Sequence, residues 1–263
     1  MVYKTLLVEE RDGVLFVTLD RPDVHNAFND ELIAEAIELL GSIGGGDARA
    51  VVLGGTGPTF CAGADLNWMK KMAGFSRAQN LADAKALAAM LTALNQLPKP
   101  TIARVHGAAF GGGVGLIACC DIAIGTPDAV FALSEARLGL IPATISPYVI
   151  EAIGARAARR LFLTAERFTA AEAFRLGLLH DLALPTELDA RIDDVLSLLL
   201  KAGPRAQAEC KTLLRAVAHR SIDADLIAET AERIATVRAS PEGKEGVAAF
   251  LAKRSAAWVP RDE

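Results

Sequence analysis

The sequence predicts an α/β protein with a largely parallel inner sheet and a mostly helical C-terminal third. Three observations carry this. Short β-branched and aromatic runs alternate with helical segments up to about residue 145, the order that β–α–β crossover units produce. Beyond that point strand signals become few and helical patterns follow one another. Of the 263 residues, 52% are hydrophobic, which supplies a sizeable core and argues against disorder. The length fits one large domain, or one domain with a small helical appendage.

The elements follow in order. Residues 2–8 and Val14–Leu19 are strand-like, and the turn Glu10-Arg11-Asp12-Gly13 makes them a hairpin. Residues 20–29 form a loop punctuated by Pro22. Asn29 is placed to cap a helix over residues 30–40, whose first turn is acidic. The glycines of residues 41–46 end it. Residues 50–53 read as a buried strand. Helices over Leu66–Met72 and residues 77–97 follow, the second stopped by Pro98 and Pro100. Thr101–Val105 is a strand that leads into a triple-glycine turn. Residues 114–119 have helical composition, and residues 122–124 and 130–133 read as short strands. Helices are then expected over residues 156–163, Ala170–Leu176, and residues 187–201, 204–218, 223–238 and 241–252. There is no internal repeat, low-complexity tract or long linker in the sequence.

Composition excludes several classes of function. The net charge is −4 with no basic stripe, so no nucleic-acid partner is expected. Cys119 and Cys120 are adjacent, which suits neither a disulfide framework nor metal spacing; with Cys61 and Cys210 they read as reduced thiols of a cytosolic protein. His25, His106, His180 and His219 are scattered without ligand spacing, so no metal is expected. Residues 1–10 hold no apolar signal core, and no apolar run reaches the ~18–20 residues of a membrane span. The expectation is a soluble, cytoplasmic chain with no membrane partner.

Two glycine-containing turns about 50 residues apart carry the chemistry. The first is Phe60-Cys61-Ala62-Gly63-Ala64-Asp65-Leu66, the second Gly107-Ala108-Ala109-Phe110-Gly111-Gly112-Gly113-Val114-Gly115. Each leaves a strand and opens a helix, where backbone N–H groups lack helical partners. Two such turns aimed at one point make an oxyanion hole. Tight strand–helix packing without a ligand explains either turn alone equally well, and neither matches the nucleotide-phosphate motifs. Asp65 is placed to cap the following helix. Cys61 reads as a packed small thiol rather than a nucleophile. Glu135 follows an apolar strand, where burial would raise its pKa and fit it for proton transfer; the plain alternative is a helix-start glutamate paired with Arg137. Asp121 reads as a satisfied buried carboxylate.

These stretches, together with Asp20-Arg21-Pro22 to Asn26-Ala27-Phe28-Asn29, residues 98–103, Cys120-Asp121-Ile122-Ala123, residues 135–140 and residues 248–254, resemble the crotonase (enoyl-CoA hydratase/isomerase) family over nearly the whole chain. The resemblance implies a crotonase-like spiral of ββα units over residues 1–200 and a helical trimerisation region over residues 201–263. It implies an acyl-CoA thioester substrate, no cofactor beyond the coenzyme A of that substrate, and a homotrimer or dimer of trimers. Ala64 and Gly112 would donate N–H groups to the thioester carbonyl and stabilise an enolate, with Glu135 as the proton-transfer residue. Ala27, Ala62, Gly63, Asp65, Leu66, Trp68, Gly111 and Phe250 would line the substrate site. Family hydratases use two glutamates, and the first falls at Gly115, which transfers no proton. Single-glutamate isomerases of the family are therefore an alternative, as is a non-catalytic acyl-CoA-binding protein. Residues 67–72, Gly115 and residues 143–147 look like bacterial 3-methylglutaconyl-CoA hydratase-type members, which implies a short or branched enoyl-CoA. Met69, Met72, Phe75 and Leu87 are further candidate walls, and Arg21, Lys70, Lys253 and Arg254 candidate cations for the CoA phosphates. Phe250 and Trp258 are candidates to stack on the adenine bound by a neighbouring subunit.

Overall fold

The computed structural model describes residues 3–260. The chain opens with β1 (Leu6–Arg11) and β2 (Val14–Leu19), an antiparallel hairpin. Asp12 and Gly13, at φ +52° and +72°, form its two-residue loop; two successive positive φ values give the turn whose twist matches the strands. Then come α1 (Asp30–Ile43), β3 (Ala50–Gly55), α2 (Leu66–Met72), α3 (Arg77–Asn95), β4 (Thr101–Val105), β5 (Ala108–Phe110), α4 (Gly112–Cys119), β6 (Ile122–Gly125) and β7 (Val130–Ala132). A 3-10 turn, Glu135–Leu138, leads to α5 (Ser146–Thr164), β8 (Arg167–Thr169), α6 (Ala170–Leu176), β9 (Asp181–Leu182), α7 (Leu188–Lys201), α8 (Pro204–Val217), α9 (Ala224–Ala239) and α10 (Pro241–Leu251).

The larger sheet runs β1-β2-β3-β4-β6-β9 and is parallel from β2 onward. The period-2 alternation of strand side chains separates its faces. Leu15, Val17 and Leu19 of β2 join Val51 and Leu53 of β3 in the principal core with α1, α3, α4 and α5. Val14, Ala50, Val52, Ile102 and Ile124 face the other way and are covered by Leu188, Ile192 and Leu196 of α7. The second sheet, β5-β7-β8, lies alongside, with Phe131 stacked on Phe168 at 5.4 Å.

Several boundaries differ from the sequence expectation, for physical reasons. Met1 and Val2 lie outside the described residues, as do residues 261–263 of the helical region. Strand pairing begins only at Leu6, because the backbone N–H groups of Lys4 and Thr5 donate to the Glu35 carboxylate instead of a ladder. α1 continues through Gly41, where a side chain would meet open space. α5 starts well before residue 156: Pro147 sits in its first turn, where the missing N–H costs nothing, and Gly154 at φ +75° kinks it. β5, β8 and β9 have two or three residues each, too short for a period-2 signal.

Helices α8, α9 and α10 pack on one another and bury little. Lys211 of α8 reaches the core, donating to Asp121 at 2.6 Å and to the Lys99 carbonyl at 3.1 Å. Arg49 donates to the carbonyls of Ala202 and Trp258, which folds the last segment back onto its own chain.

Candidate active site

The two glycine turns are stitched side by side. Phe60 N–H donates to His106 O at 3.0 Å, Cys61 N–H to Ala108 O at 3.2 Å, and Phe110 N–H to Cys61 O at 2.9 Å. The chains then leave together. A Cβ on Gly63 would lie 2.9 Å from Phe110 O and 3.7 Å from Gly112 N, so only glycine, here at φ +87°, allows this approach.

In the first turn the backbone bonds skip Ala64. Phe28 N–H donates to Gly63 O at 2.6 Å, and Asp65 N–H donates to Phe28 O at 2.8 Å. The Ala64 N–H between them has no acceptor among the described residues, and Ala64 is exposed. Asp65 accepts from the N–H groups of Asn67 (2.7 Å) and Trp68 (3.2 Å), capping α2, and pairs with Arg21 at 2.8 Å. Burial alone would raise its pKa; the Arg21 bond and the two cap bonds hold it below the ordinary carboxylate value. Arg21 also donates to the Ala27 carbonyl. Asn26, wholly buried at φ +55°, accepts from Arg21 N–H and donates to the carbonyls of Thr56 and Thr59.

In the second turn Gly111 stands at φ +49°, and its N–H donates to Ala132 O at 2.8 Å. Gly112 is the first residue of α4, and its N–H has no acceptor among the described residues. A side chain on Gly112 would overlap the Phe28 ring, and one on Gly113 would overlap the Cys61 carbonyl. Phe28, 1% exposed, therefore sets both turns: its backbone brackets Ala64 and its ring lies on Gly112.

Glu135 stands over this second turn. Its Oε1 is 3.1 Å from where a Cβ on Gly111 would be. Its Oε2 is buried without a hydrogen-bond partner. Burial pushes its pKa above the ordinary glutamate value, only partly offset by its own backbone N–H. No ion pair to Arg137 is present among the described residues. The arrangement offers two unused amide donors and a carboxyl poised to hold a proton, which is what holding an enolate oxygen and protonating its carbon needs.

The other predicted residues lie as follows. Ala27 is buried, and the Ala62 N–H donates to His25 O at 2.9 Å. Leu66 is 74% exposed beside the first turn, whereas Trp68 packs into the principal core. Phe250 is 81% exposed on α10, away from these turns in sequence and element. Trp258 is engaged with its own chain: its indole N–H donates to Lys201 O and its ring lies against Gly246. Arg21 and Arg254 are held by Asp65 and Glu245, while Lys70 and Lys253 make no ion pair among the described residues.

Burial pushes the Cys61 thiol up to about 12, so it is a packed thiol and no nucleophile. Asp121 is satisfied by Thr101 and Lys211 but is exposed rather than buried, because it sits immediately before β6. His25, His106 and His180 each make a structural hydrogen bond. Among the described residues no cluster of His, Cys, Asp and Glu could hold a metal ion, and no helix is long and apolar enough to cross a membrane. Gly115 is closed off: a Cβ there would overlap Ile145 and lie 3.7 Å from Leu91 Cδ2. The roles of Phe28 and Ile145 had no sequence signal, since each acts on a turn distant in the chain.

The sequence matches the enoyl-CoA hydratase/isomerase family model over residues 9–261. It is 35% identical over 254 residues to an enoyl-CoA hydratase of Alternaria alternata, covering 95% of this chain and 83% of that one. It is 28% identical to a crotonyl-CoA hydratase of Syntrophomonas wolfei, covering 99% of this chain and all of that one. Its structure matches that of an enoyl-CoA hydratase from Shewanella pealeana with a TM-score of 0.94 and 47% identity, over 97% and 96% of the two chains.

Proposed function

The chain belongs to the enoyl-CoA hydratase/isomerase, or crotonase, family, and from that premise we propose that it hydrates a short or branched enoyl-CoA through an enolate held at Ala64 and Gly112. One observation carries the reading: two backbone N–H groups without acceptors on neighbouring turns, with Glu135 over the second turn and its Oε2 buried without a partner. The thioester carbonyl oxygen accepts from both N–H groups. Hydroxide from water adds at the β carbon, electron density moves onto that oxygen, and Glu135 delivers a proton to the α carbon. The N–H donors contribute most where charge develops on the carbonyl oxygen.

Water has no second side-chain carboxylate to activate it, since residue 115 is glycine and its space holds Ile145. A 3-methylglutaconyl-type substrate, whose own carboxylate takes the proton from water, fits that arrangement. The same observation favours a second reading, a double-bond shift in which Glu135 alone removes and returns protons. We assign residues 201–263 to assembly as a trimer or dimer of trimers; the exposed Leu214, Ile227, Ile234, Val247, Phe250 and Leu251 support this.

Incubation with 3-methylglutaconyl-CoA and with crotonyl-CoA, with products resolved by mass and double-bond position, tests the proposal. Gain of one water supports hydration. A shifted double bond without water makes the protein an isomerase. Binding of CoA esters with neither product makes it a non-catalytic binder.

A further inference from the structure

We infer that Ile145 is a specificity-determining residue, matched to Gly115 so that the α4 wall of the site carries one proton-transfer side chain and no place for a second. Gly111 is the N-cap of α4, and its carbonyl accepts from Gly115 N–H at 3.2 Å, so the two glycines are joined across the first turn of the helix. The Glu135 carboxyl stands over Gly111, and Ile145 stands over Gly115. A Cβ on residue 115 would overlap Ile145 Cγ2 and lie 2.9 Å from Ile145 Cβ. Ile145 has no room to yield. It is 2% exposed, immediately precedes α5, and its carbonyl accepts from Val149 N–H at 3.0 Å. Leu91, wholly buried on α3, closes the far side.

The consequence is chemical. The space that a side chain on residue 115 would enter, one turn into α4 from the glycine under Glu135, is occupied by the hydrocarbon of Ile145 and Leu91. This inference rests on the proposed enolate chemistry. Within it, the pair restricts the protein to thioesters that need no protein base at the β carbon: those bearing their own carboxylate, or those whose double bond shifts.

The test has two arms. In the first, Tm is measured for Gly115→Ala, Ile145→Ala and the double variant. Gly115→Ala is expected to lower Tm by roughly 2–4 °C or more in the wild-type background, and by much less once Ile145 is alanine. Additive effects overturn the pairing. In the second, crotonyl-CoA hydration is measured for wild type, Gly115→Glu, Ile145→Gly and the double variant, with folding checked by the same melts. The double variant is expected to exceed each single variant by at least about tenfold in kcat/KM, below the usual range for a general acid–base group. Coupled melts with wild-type turnover of some enoyl-CoA but no gain in the double variant overturn the specificity role. Absence of turnover in every variant, with coupled melts, overturns the enolate reading itself and the catalytic half of the inference with it.

Discussion

At Glu135 stability and chemistry pull in opposite directions. Its Oε2 is buried without a partner, and burial raises the pKa. The fold therefore favours the protonated form. That contribution is full below the ordinary glutamate pKa of ~4.3 and is lost as pH rises through the raised folded value. Above it, the ionised carboxylate is a cost that glutamine would not carry. Glu135→Gln is thus expected to melt higher than wild type at pH 8, by roughly 2–4 °C for ~1 kcal/mol relieved, with the gap closing near pH 4. A Glu135→Gln protein that melts lower at pH 8 would show that the carboxylate is satisfied. Gly112 makes a different demand. Any side chain there meets the Phe28 ring, which is buried and cannot retreat. Gly112→Ala is expected to lower kcat by ~10²–10³, the loss seen when one oxyanion donor is removed, with the KM for the CoA ester changing far less.

The first turn depends on the loop of residues 20–29 as much as on its own glycine. Arg21 ties Asp65 to Ala27, Asn26 ties the loop to Thr56 and Thr59, and Phe28 brackets Ala64. Asp65 contributes stability above its unfolded pKa of ~3.9, and this is lost as pH falls through its lower folded value. Asp65→Asn is expected to cost ~1–2 kcal/mol at pH 7 through the lost ion pair with Arg21, since an asparagine oxygen can still cap α2. The difference should shrink as pH falls from ~3.9 through the lower folded value; melts across pH 2.5–7 check this. Part of this arrangement was legible in the sequence. Gly63 and the 111–113 glycines marked both turns, Asp65 marked a cap, and Glu135 followed an apolar strand, because backbone geometry and helix starts are local. β5 was hidden inside the second turn because its three residues pair with chain on both sides rather than repeat a pattern. Phe28 and Ile145 were hidden because what they fill is the space above a glycine far away in sequence. Arg21, read as a candidate for phosphate, proved to hold the turn.

At the scale of the whole molecule, the sheet is covered on both faces by the two cores, and α8–α10 leave several large apolar side chains open. Leu214, Ile227, Val247, Phe250 and Leu251 are each more than half exposed, and large apolar side chains left open on neighbouring helices suit an association surface. Light scattering is expected to give three or six chain masses, and Phe250→Asp with Leu251→Asp to shift the distribution toward smaller species; a monomer in the wild type would contradict the assembly assignment. The fold-level likeness sets the reaction class, but the site decides the chemistry. The most direct test is therefore deuterium incorporation at the α carbon of an enoyl-CoA turned over in D₂O, compared between wild type and Glu135→Gln. The account predicts incorporation by wild type and a fall of ~10²-fold or more in the variant, with CoA-ester binding retained. Undiminished α-deuteration by a folded Glu135→Gln protein would contradict it.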